Sequence, residues 1–385
     1  MENPPRLVID GRRLGARRTG VGRYLERLLI DWAGDGWPLD RVLLVLHEST
    51  AFDRVPRHPT LEIRTIGEGW PGLVWEWFGL GSLLTRGDIL FAPTNLLPRR
   101  WRGPSVLVAF DTLLESVPQG FSLATRLRFA RRYRDAARRA TRVIVPSEAT
   151  AQDVVERYGV EPHQLRMIYP SIGEGFRPRE ADDPLVMAAK EEFGIGTEPF
   201  FLFVGKRSAR RNLPSILEGF HRHRSEHPSH RLIFVGPGGG GLSSSGDGVI
   251  YAGHVTDDHL LGLMAGATAL LYPSDHEGFG LPVAEAMASG CPVVTLRRGA
   301  LSESGGGAAY YLDAPSPEAI AGALRDLTRR DGPRSRYISL GLAQAARFQG
   351  PGFARAVCDV IREVAGFYRG DQPEWAGPAG VSTAS

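Results

Sequence analysis

The sequence contains little cysteine. Its 385 residues include only two, Cys291 and Cys358, and each lies in an apolar segment. A fold held together by disulfides needs more, so we expect both thiols to be reduced and buried, as is usual in the cytoplasm.

Long apolar runs are absent as well. No stretch reaches the 18 or so residues that a transmembrane helix needs. The first ten residues, MENPPRLVID, lack the basic start and the apolar stretch of a secretory signal. We therefore expect a soluble cytoplasmic protein, and a length of 385 residues favours two domains.

Charge is distributed unevenly, although the formal net charge is only +3. One short helical stretch, opposed only by Asp135, carries Arg126, Arg128, Arg131, Arg132, Arg134, Arg138, Arg139 and Arg142. Such a run is usually a solvated helix face. It would also suit peripheral contact with an anionic membrane or an acidic acceptor. We expect no nucleic acid partner.

Apolar and β-branched runs alternate with helical patterns along most of the chain. The predicted strands fall into two series, one from Leu7–Asp10 to Met167–Tyr169 and one from Phe200–Val204 to Ala309–Leu312. Strands separated by helices predict parallel sheets built from βαβ units. The predicted fold class is α/β, with two doubly wound, Rossmann-like domains whose strand ends face a common cleft.

The segment Gly173–Glu198 contains several prolines and glycines and separates the two series, so it is interpreted as the inter-domain linker. We place the N-terminal domain in residues 1–175 and the C-terminal domain in residues 176–350. A last helix is predicted within 351–369, and residues 370–385 are predicted to be disordered.

The stretch EGFGLPVAEA carries two glutamates, Glu277 and Glu285, eight positions apart. Its glycines and Pro282 divide it into a loop and a helix, because proline suits the first helical turn. The N–H groups of residues 279–281 would then be free at a helix N-terminus, where anions bind. Two carboxylates beside an anion site predict a ligand with both hydroxyls and phosphate, such as a sugar nucleotide. The alternative is a helix cap with two surface glutamates.

Two further stretches follow predicted strands. In FVGKRSARRNL, Lys206, Arg210 and Arg211 crowd a strand-to-helix turn. Cations there would neutralise a diphosphate, or would simply form a basic surface loop. In TGVG, Gly20 and Gly22 open a helix and permit close approach of a ligand, with a plain tight turn as the alternative.

In this order and at these spacings, the stretches resemble the retaining GT-B glycosyltransferases of family 4. The resemblance covers roughly residues 6–365 and rests on IDGRRLGARRTGVGRYLERLL, FAPTNLLP, TRVIVPSEATAQDVVERYGV, IYPSIGEGFRP, FVGKRSARRNL, AGHVTDDHL and YPSDHEGFGLPVAEAMASGCPVV. It implies transfer of a mannose- or glucose-type hexose from a nucleoside diphosphate sugar to a hydroxyl of a glycan or lipid-linked acceptor in cell-surface polysaccharide biosynthesis. It also implies a last helix that crosses back to the N-terminal domain, and neither a cofactor nor a metal ion.

The resemblance implies roles residue by residue. The predicted catalytic residues are Glu277 on the donor hexose, Lys206 and Arg211 on the diphosphate, and Asp111. The predicted donor-binding residues are Gly20, Gly22, Gly205, Arg210, His254, Val255, Phe279, Gly280, Leu281 and, on the ribose, Glu285. The leaving phosphate itself would take the acceptor proton, so no side chain need act as a nucleophile.

One position departs from the family pattern. The family usually has His-Asp at the end of the fifth strand, whereas this sequence has Phe110 before Asp111. A phenylalanine cannot donate a hydrogen bond, so the contact to the donor sugar or acceptor must differ. Two alternatives stay open: a catalytically weakened, sugar-nucleotide-binding subunit of a glycan assembly complex, or another GT-B enzyme such as a phosphorylase or an epimerase.

Three other patterns are assigned no role. The run GPGGGG from Gly236 is not followed by a helix, so a flexible loop is expected rather than a dinucleotide site. The histidines of HRHRSEHPSH are expected at the surface rather than around a metal ion. The segment WPGLVWEWFGL is expected to pack as a helix on the N-terminal sheet rather than to form an aromatic patch for an acceptor or a membrane.

Overall fold

The computed structural model describes residues 4–15, 19–48, 55–238, 243–245 and 247–369. The predicted tail at 370–385 and most of the glycine run, at 239–242, lie outside the described residues. Within the described part of the chain, no helix is long and apolar enough to cross a membrane. Both cysteines are buried and unpaired, as predicted.

The N-terminal domain is built on a sheet of seven parallel strands. They are β1 Arg6–Asp10, β2 Val42–Leu46, β3 Leu61–Thr65, β4 Asp88–Ala92, β5 Ser105–Val108, β6 Arg142–Val145 and β7 Leu165–Met167. Their order is β3-β2-β1-β4-β5-β6-β7. The central strands are buried along their whole length because helices cover both faces of a parallel sheet.

The C-terminal domain contains a second seven-stranded sheet. Its strands are β8 Phe200–Val204, β9 Arg231–Val235, β10 Ser243–Ser245, β11 Val249–Gly253, β12 Ala269–Tyr272, β13 Val293–Leu296 and β14 Tyr310–Leu312, in the order β10-β11-β9-β8-β12-β13-β14. All neighbours pair in parallel except β10, which runs antiparallel to β11. The predicted α/β class with two doubly wound sheets is therefore confirmed.

Helices cover both sheets. In the N-terminal half they are α1 Gly20–Asp35, α2 Gly72–Val74, α3 Gly81–Leu83, α4 Leu113–Ser116, α5 Leu123–Arg139 and α6 Glu148–Asp153. In the C-terminal half they are α7 Pro184–Glu192, α8 Leu213–Arg224, α9 Asp257–Gly266, α10 Leu281–Ala288, α11 Ala300–Gly305, α12 Pro317–Thr328 and α13 Arg334–Ala345, followed by α14 Gly352–Arg369. Short 3₁₀ turns occur at Pro118–Gly120, Pro162–Gln164, Ala209–Arg211 and Ala346–Phe348, and π turns occur at Trp75–Leu80 and Val154–Tyr158.

The chain passes between the two domains twice. The segment predicted as a linker makes the first passage, but it also contains α7, whose Ala189 is buried in the C-terminal core. The second passage leads into α14, which packs on the N-terminal core, and Trp32 Nε1 donates to the carbonyl of Ala354 at 3.0 Å. The two passages touch, because the N–H of Ile172 donates to the carbonyl of Phe348 at 2.9 Å.

The histidine cluster corrects one prediction. His223 and His230 are buried rather than at the surface, and His223 Nε2 lies 2.9 Å from His230 Nδ1. The ring of His227 stacks on that of His230, with centroids 5.0 Å apart. Burial, reinforced by the neighbouring histidines, lowers the pKa of His223 to about 3, so its ring is neutral near pH 7. No group of residues that could hold a metal ion occurs in the described ranges.

The aromatic segment at Trp70 packs with one face only. Trp75 is buried, and its Nε1 donates to the carbonyl of Ile66 at 2.7 Å. Trp77 and Phe78 on the other face are 48% and 63% exposed. The predicted helix therefore exists, yet two of its three aromatic side chains face solvent.

Candidate active site

The segment with the two glutamates forms the loop and helix that its glycines and proline predict. Glu277 lies on the loop between β12 and α10. Its Oε1 accepts hydrogen bonds from Tyr272 Oη at 2.9 Å, from Arg211 Nε at 3.0 Å and from Arg210. Burial alone would raise the pKa of Glu277, but the charges of Arg211 and Arg210 lower it to about 2. The carboxylate is thus fixed and ionised, and no described residue donates to its second oxygen.

Both arginines hold this loop, although diphosphate binding was expected of them. Arg210 also donates to Ser274 Oγ at 2.9 Å and to the carbonyl of His276 at 3.0 Å. Arg211 Nη1 donates to the carbonyl of Lys206 at 2.9 Å, and its guanidinium stacks on the ring of Tyr272 at 5.2 Å. Partially buried arginines with several partners position a loop well.

Lys206 differs from the two arginines. Its side chain is exposed and makes no hydrogen bond or ion pair with another described residue. Gly205 just before it has φ +141, and a Cβ there would overlap the Arg211 guanidinium. This glycine, predicted to bind the donor, is therefore required by the packing of Arg211. Lys206 thus offers a cation at this strand end that no described acidic side chain neutralises.

The start of α10 presents backbone donors. No described residue accepts from the N–H groups of Phe279, Gly280 and Leu281, as expected for a helix N-terminus. Gly280 has φ +91, where a side chain would be strained. The ring of Phe279 is buried against Tyr169 and Phe348, with centroids 5.7 and 5.0 Å away. The start of α10 thus offers backbone donors where an anion site is predicted, beside one buried aromatic side chain.

Gly278 joins the loop to the N-terminal domain. Its carbonyl accepts from Ser147 Oγ at 2.6 Å and from Thr150 Oγ1 at 2.9 Å, both near the start of α6. A Cβ at Gly278 would overlap the carbonyl oxygen of Phe110. Only glycine therefore permits the two walls of the cleft to approach this closely.

Phe110 and Asp111 lie at the N-terminal wall. The ring of Phe110 meets that of Tyr24 edge-on, with centroids 5.0 Å apart. Asp111 Oδ1 accepts from the N–H of Leu113 at 3.1 Å, and burial together with the nearby charge of Glu277 raises its pKa. Both residues line a cavity of about 390 Å³ that extends to Phe129 on α5 and is largely apolar and aromatic.

Glu285 lies on α10 and is buried, with 4% of its surface exposed. Arg23 on α1 reaches it from the other domain: Nη1 lies 3.0 Å from Oε1, and Nη2 lies 3.5 Å from Oε2. Burial raises the pKa of Glu285, and the Arg23 charge partly offsets this. The two residues share a cavity of about 250 Å³ between the domains.

The remaining predicted donor-binding residues flank the cleft. Thr19 caps α1 by accepting from the N–H of Gly22 at 3.1 Å. A Cβ at Gly22 would press on the carbonyl of Arg13, whereas no atom of the described residues lies within 4 Å of one at Gly20. His254 is exposed and Val255 half-buried, directly after the carboxyl end of β11.

Sequence reasoning missed several inter-domain residues. Ser147 and Thr150 hold Gly278, and Glu303 accepts from the N–H groups of Glu148 and Ala149 at 2.8 and 3.0 Å. The hydroxyls follow a buried strand at its carboxyl end, which was an available signal. The partners of Glu303 and Arg23 become visible only when both domains are placed.

Comparisons with known proteins agree with this geometry. Residues 18–173 match the Glycosyltransferase Family 4 model, and residues 198–330 match the model of Glycosyl transferases group 1. The D-inositol 3-phosphate glycosyltransferase of Acidothermus cellulolyticus is 27% identical over 250 residues, which are 60% of this chain and 54% of that protein. O-antigen chain mannosyltransferase B of Escherichia coli is 27% identical over 219 residues, 54% of this chain and 56% of that one. The chain spans about half the length of these curated relatives.

A solved structure supports the architecture. Anabaena Alr3699/HepE, crystallised with UDP and glucose, matches with a TM-score of 0.69 at 18% identity, over 93% of this chain and 99% of that chain. At this identity the likeness concerns the fold alone. With the two family models and the two facing sheets, it shows that the chain belongs to the GT-B glycosyltransferases of family 4, also described as group 1.

Proposed function

We propose that the protein transfers a hexose of the mannose or glucose type from a nucleoside diphosphate sugar to an acceptor hydroxyl, with retention at the anomeric carbon. The observation that carries this proposal is the Glu277 carboxylate. It is held ionised by two arginines and has one oxygen left to accept from a sugar hydroxyl.

The diphosphate would lie between Lys206 and the start of α10. Lys206 supplies a mobile charge, and residues 279–281 supply unpaired N–H groups and the positive end of the helix dipole. Preorganised donors of this kind stabilise a departing diphosphate without a metal ion. The leaving phosphate oxygen would take the proton of the acceptor hydroxyl as the new glycosidic bond forms on the same face.

The acceptor would enter from the N-terminal domain. The 390 Å³ cavity ends at Phe110 and Asp111, beside the Glu277 loop. Its largely apolar wall is compatible with a glycan that carries an apolar portion, such as a lipid-linked acceptor. A role in cell-surface polysaccharide biosynthesis is supported by the similarity to an O-antigen chain mannosyltransferase.

Peripheral attachment to the inner face of a membrane is part of the proposal. Five of the eight arginines in the cluster have partners in the fold: Arg132 pairs with Glu76, Arg134 with Glu115, Arg139 with Asp135 and Arg142 with Glu363, and Arg138 Nε donates to the carbonyl of Tyr158. Arg128 and Arg131 are exposed. These two would supply the attraction to anionic lipid in a cytoplasmic protein.

Phe110 favours a second candidate, a donor-binding subunit with weak or no turnover. Its ring packs on Tyr24 and offers no hydrogen bond to a sugar. Such a subunit would bind the same donor but would not consume it with any acceptor.

One experiment separates these functions. The purified protein is screened by thermal shift against UDP-, GDP- and ADP-sugars, and each stabilising donor is then incubated with and without glycan acceptors while nucleotide release is measured. The proposal expects stabilisation by at least one donor and faster nucleotide release with an acceptor. Stabilisation without release favours the binding subunit, and absence of any stabilisation contradicts both.

A further inference from the structure

The cavity of about 250 Å³ beside Glu285 has walls from both domains. Arg23 and Tyr24 contribute from α1, and Leu281 and Glu285 contribute from α10. A ligand that reaches Glu285 here would therefore touch both domains.

Arg23 grips the carboxylate with two nitrogens, at 3.0 Å to Oε1 and 3.5 Å to Oε2. A carboxylate oxygen has two lone pairs, so each oxygen keeps the capacity to accept a second hydrogen bond. A forked guanidinium also fixes the plane of the carboxylate. Two adjacent ribose hydroxyls could then donate to a carboxylate that is already oriented.

We propose that Arg23 is a positioning residue for nucleoside recognition: from the opposite domain, it orients the Glu285 carboxylate to accept from the ribose hydroxyls. The inference rests on the proposed function, which supplies the nucleotide. Its consequence is that the ribose is fully bound only when the cleft is closed.

The surroundings of Glu285 explain why a partner is needed. Glu285 is buried, with 4% of its surface exposed. A buried carboxyl group without a counter-charge tends to protonate. Other charged groups on the cavity are Glu26 and Arg27 on α1 and Asp257 on α9. Among all described groups, only Arg23 offsets the effect of burial on the pKa of Glu285.

The chain offers a matched control one helical turn away. Arg27 lies on the same face of α1 and also crosses to the other side of the cavity, where it pairs with Glu174 at 2.8 Å. Arg27 is also bonded to Asp31 within α1, at 3.0 Å, and it does not touch Glu285. Removing its charge therefore tests the effect of losing a neighbouring cross-cavity ion pair.

The test compares UDP, GDP and ADP with their 2′-deoxy forms by calorimetric titration at pH 8 and pH 6. The proteins are the wild type, Arg23→Met, Arg23→Lys and Arg27→Met. In the wild type, loss of the 2′-hydroxyl should weaken binding about tenfold or more, the usual effect of a hydrogen bond to a charged group. In Arg23→Met this factor should fall below about threefold, with a further loss at pH 6 as Glu285 protonates. Arg23→Lys keeps one point charge, so its loss of affinity on removal of the 2′-hydroxyl should lie between those of the wild type and Arg23→Met. Arg27→Met should show the same loss as the wild type.

The outcomes separate this inference from the proposed function. If the wild type binds no nucleoside diphosphate, the proposed function fails and this inference fails with it. If it binds them and Arg23→Met keeps the full 2′-hydroxyl factor, only this inference is overturned. Tighter binding by Arg23→Met would also overturn it, because Arg23 would then block the ribose site. If Arg23→Met does not fold, Arg23→Lys decides through the same ratio.

Discussion

The two walls of the cleft are built differently. The C-terminal wall carries charged side chains from the ends of two neighbouring strands, β8 and β12, that pair with each other, with Glu277 bonded to Arg210, Arg211 and Tyr272. The N-terminal wall contributes an apolar ring, a backbone carbonyl and two hydroxyls, from Phe110, Ser147 and Thr150. The C-terminal wall is held by its own hydrogen bonds without a ligand, whereas the N-terminal wall meets it at Gly278.

The largest effect is expected from Glu277→Gln, which removes the central carboxylate of the C-terminal wall. Arg210 and Arg211 would lose their counter-charge while staying 13% and 11% exposed, and breaking such a pair costs about 3–5 kcal/mol of unfolding free energy. Turnover should fall about 10²–10³-fold, since the sugar loses a preorganised acceptor. Chemical denaturation and steady-state kinetics measure the two effects. Glu174→Gln is the control, because that carboxylate is 83% exposed; unchanged kinetics in Glu277→Gln would contradict the assignment.

Gly278→Ala changes the close contact between the two walls instead. The added Cβ would overlap the carbonyl oxygen of Phe110, so the domains cannot close fully. Turnover should fall about 10²-fold, the usual effect of misplacing reacting groups by an ångström, while nucleoside diphosphate affinity changes less. Gly34→Ala on α1 is the control, because no described atom lies within 4 Å of the new Cβ and Gly34 has no predicted role at the site. A Gly278→Ala enzyme as active as Gly34→Ala would show that closure at this point is not needed.

Acid should destabilise the C-terminal domain more than the N-terminal domain. The pKa of Glu277 is lowered from 4.5 to about 2, so its contribution to stability is present above pH 4.5 and is lost as pH falls towards 2. The pKa of His223 is lowered from 6.5 to about 3, so stability is lost as pH falls from 6.5 through 3, by up to about 1.4 kcal/mol per pH unit. Both groups lie in the C-terminal domain. Hydrogen exchange at pH 5 and pH 7 should therefore show the C-terminal domain losing protection first.

His223→Leu sharpens the acid prediction. It replaces the imidazole with an apolar side chain of similar size and removes the group that must take up a proton, so the pH dependence of stability between pH 6.5 and 4 should flatten. His221→Leu on the same helix is the control, because His221 is exposed and pairs with Asp247 at 3.5 Å. An equal flattening of the pH dependence in both variants would contradict the assignment of the acid sensitivity to the buried ring of His223.

The smallest effect is expected from Phe110→His. The imidazole can keep the edge-on contact with Tyr24 and the backbone bond to Asn95 Oδ1 at 2.8 Å, so stability should change little. Turnover or donor preference should shift by a few-fold if this position meets the sugar, roughly the worth of one neutral hydrogen bond. Donor competition assays measure that shift. Identical donor profiles would place the ring away from the reacting sugar.

The contrast between the walls also explains what the sequence could predict. The bounds of β8 were predicted correctly, because a continuous buried run marks a strand of a covered parallel sheet. The loop with Glu277 was predicted from local glycines and a proline, which act over a few residues. The serine-only strand β10, the helix α7 within the linker and the burial of His223 were missed. Each of these features depends on packing against residues that are distant in the sequence. The pairing of Arg23 with Glu285 likewise joins residues from different domains.

The double passage of the chain between the domains restricts how the cleft can open. The two passages lie side by side and are joined by the hydrogen bond from the N–H of Ile172 to the carbonyl of Phe348. A single tether would let one domain swivel in any direction, but two adjacent tethers define an axis. Any opening of the cleft would then be confined largely to rotation about that axis, and closure would return Gly278 to the carbonyl of Phe110. A cut in either passage would restore the lost degrees of freedom without removing a single atom of the active site.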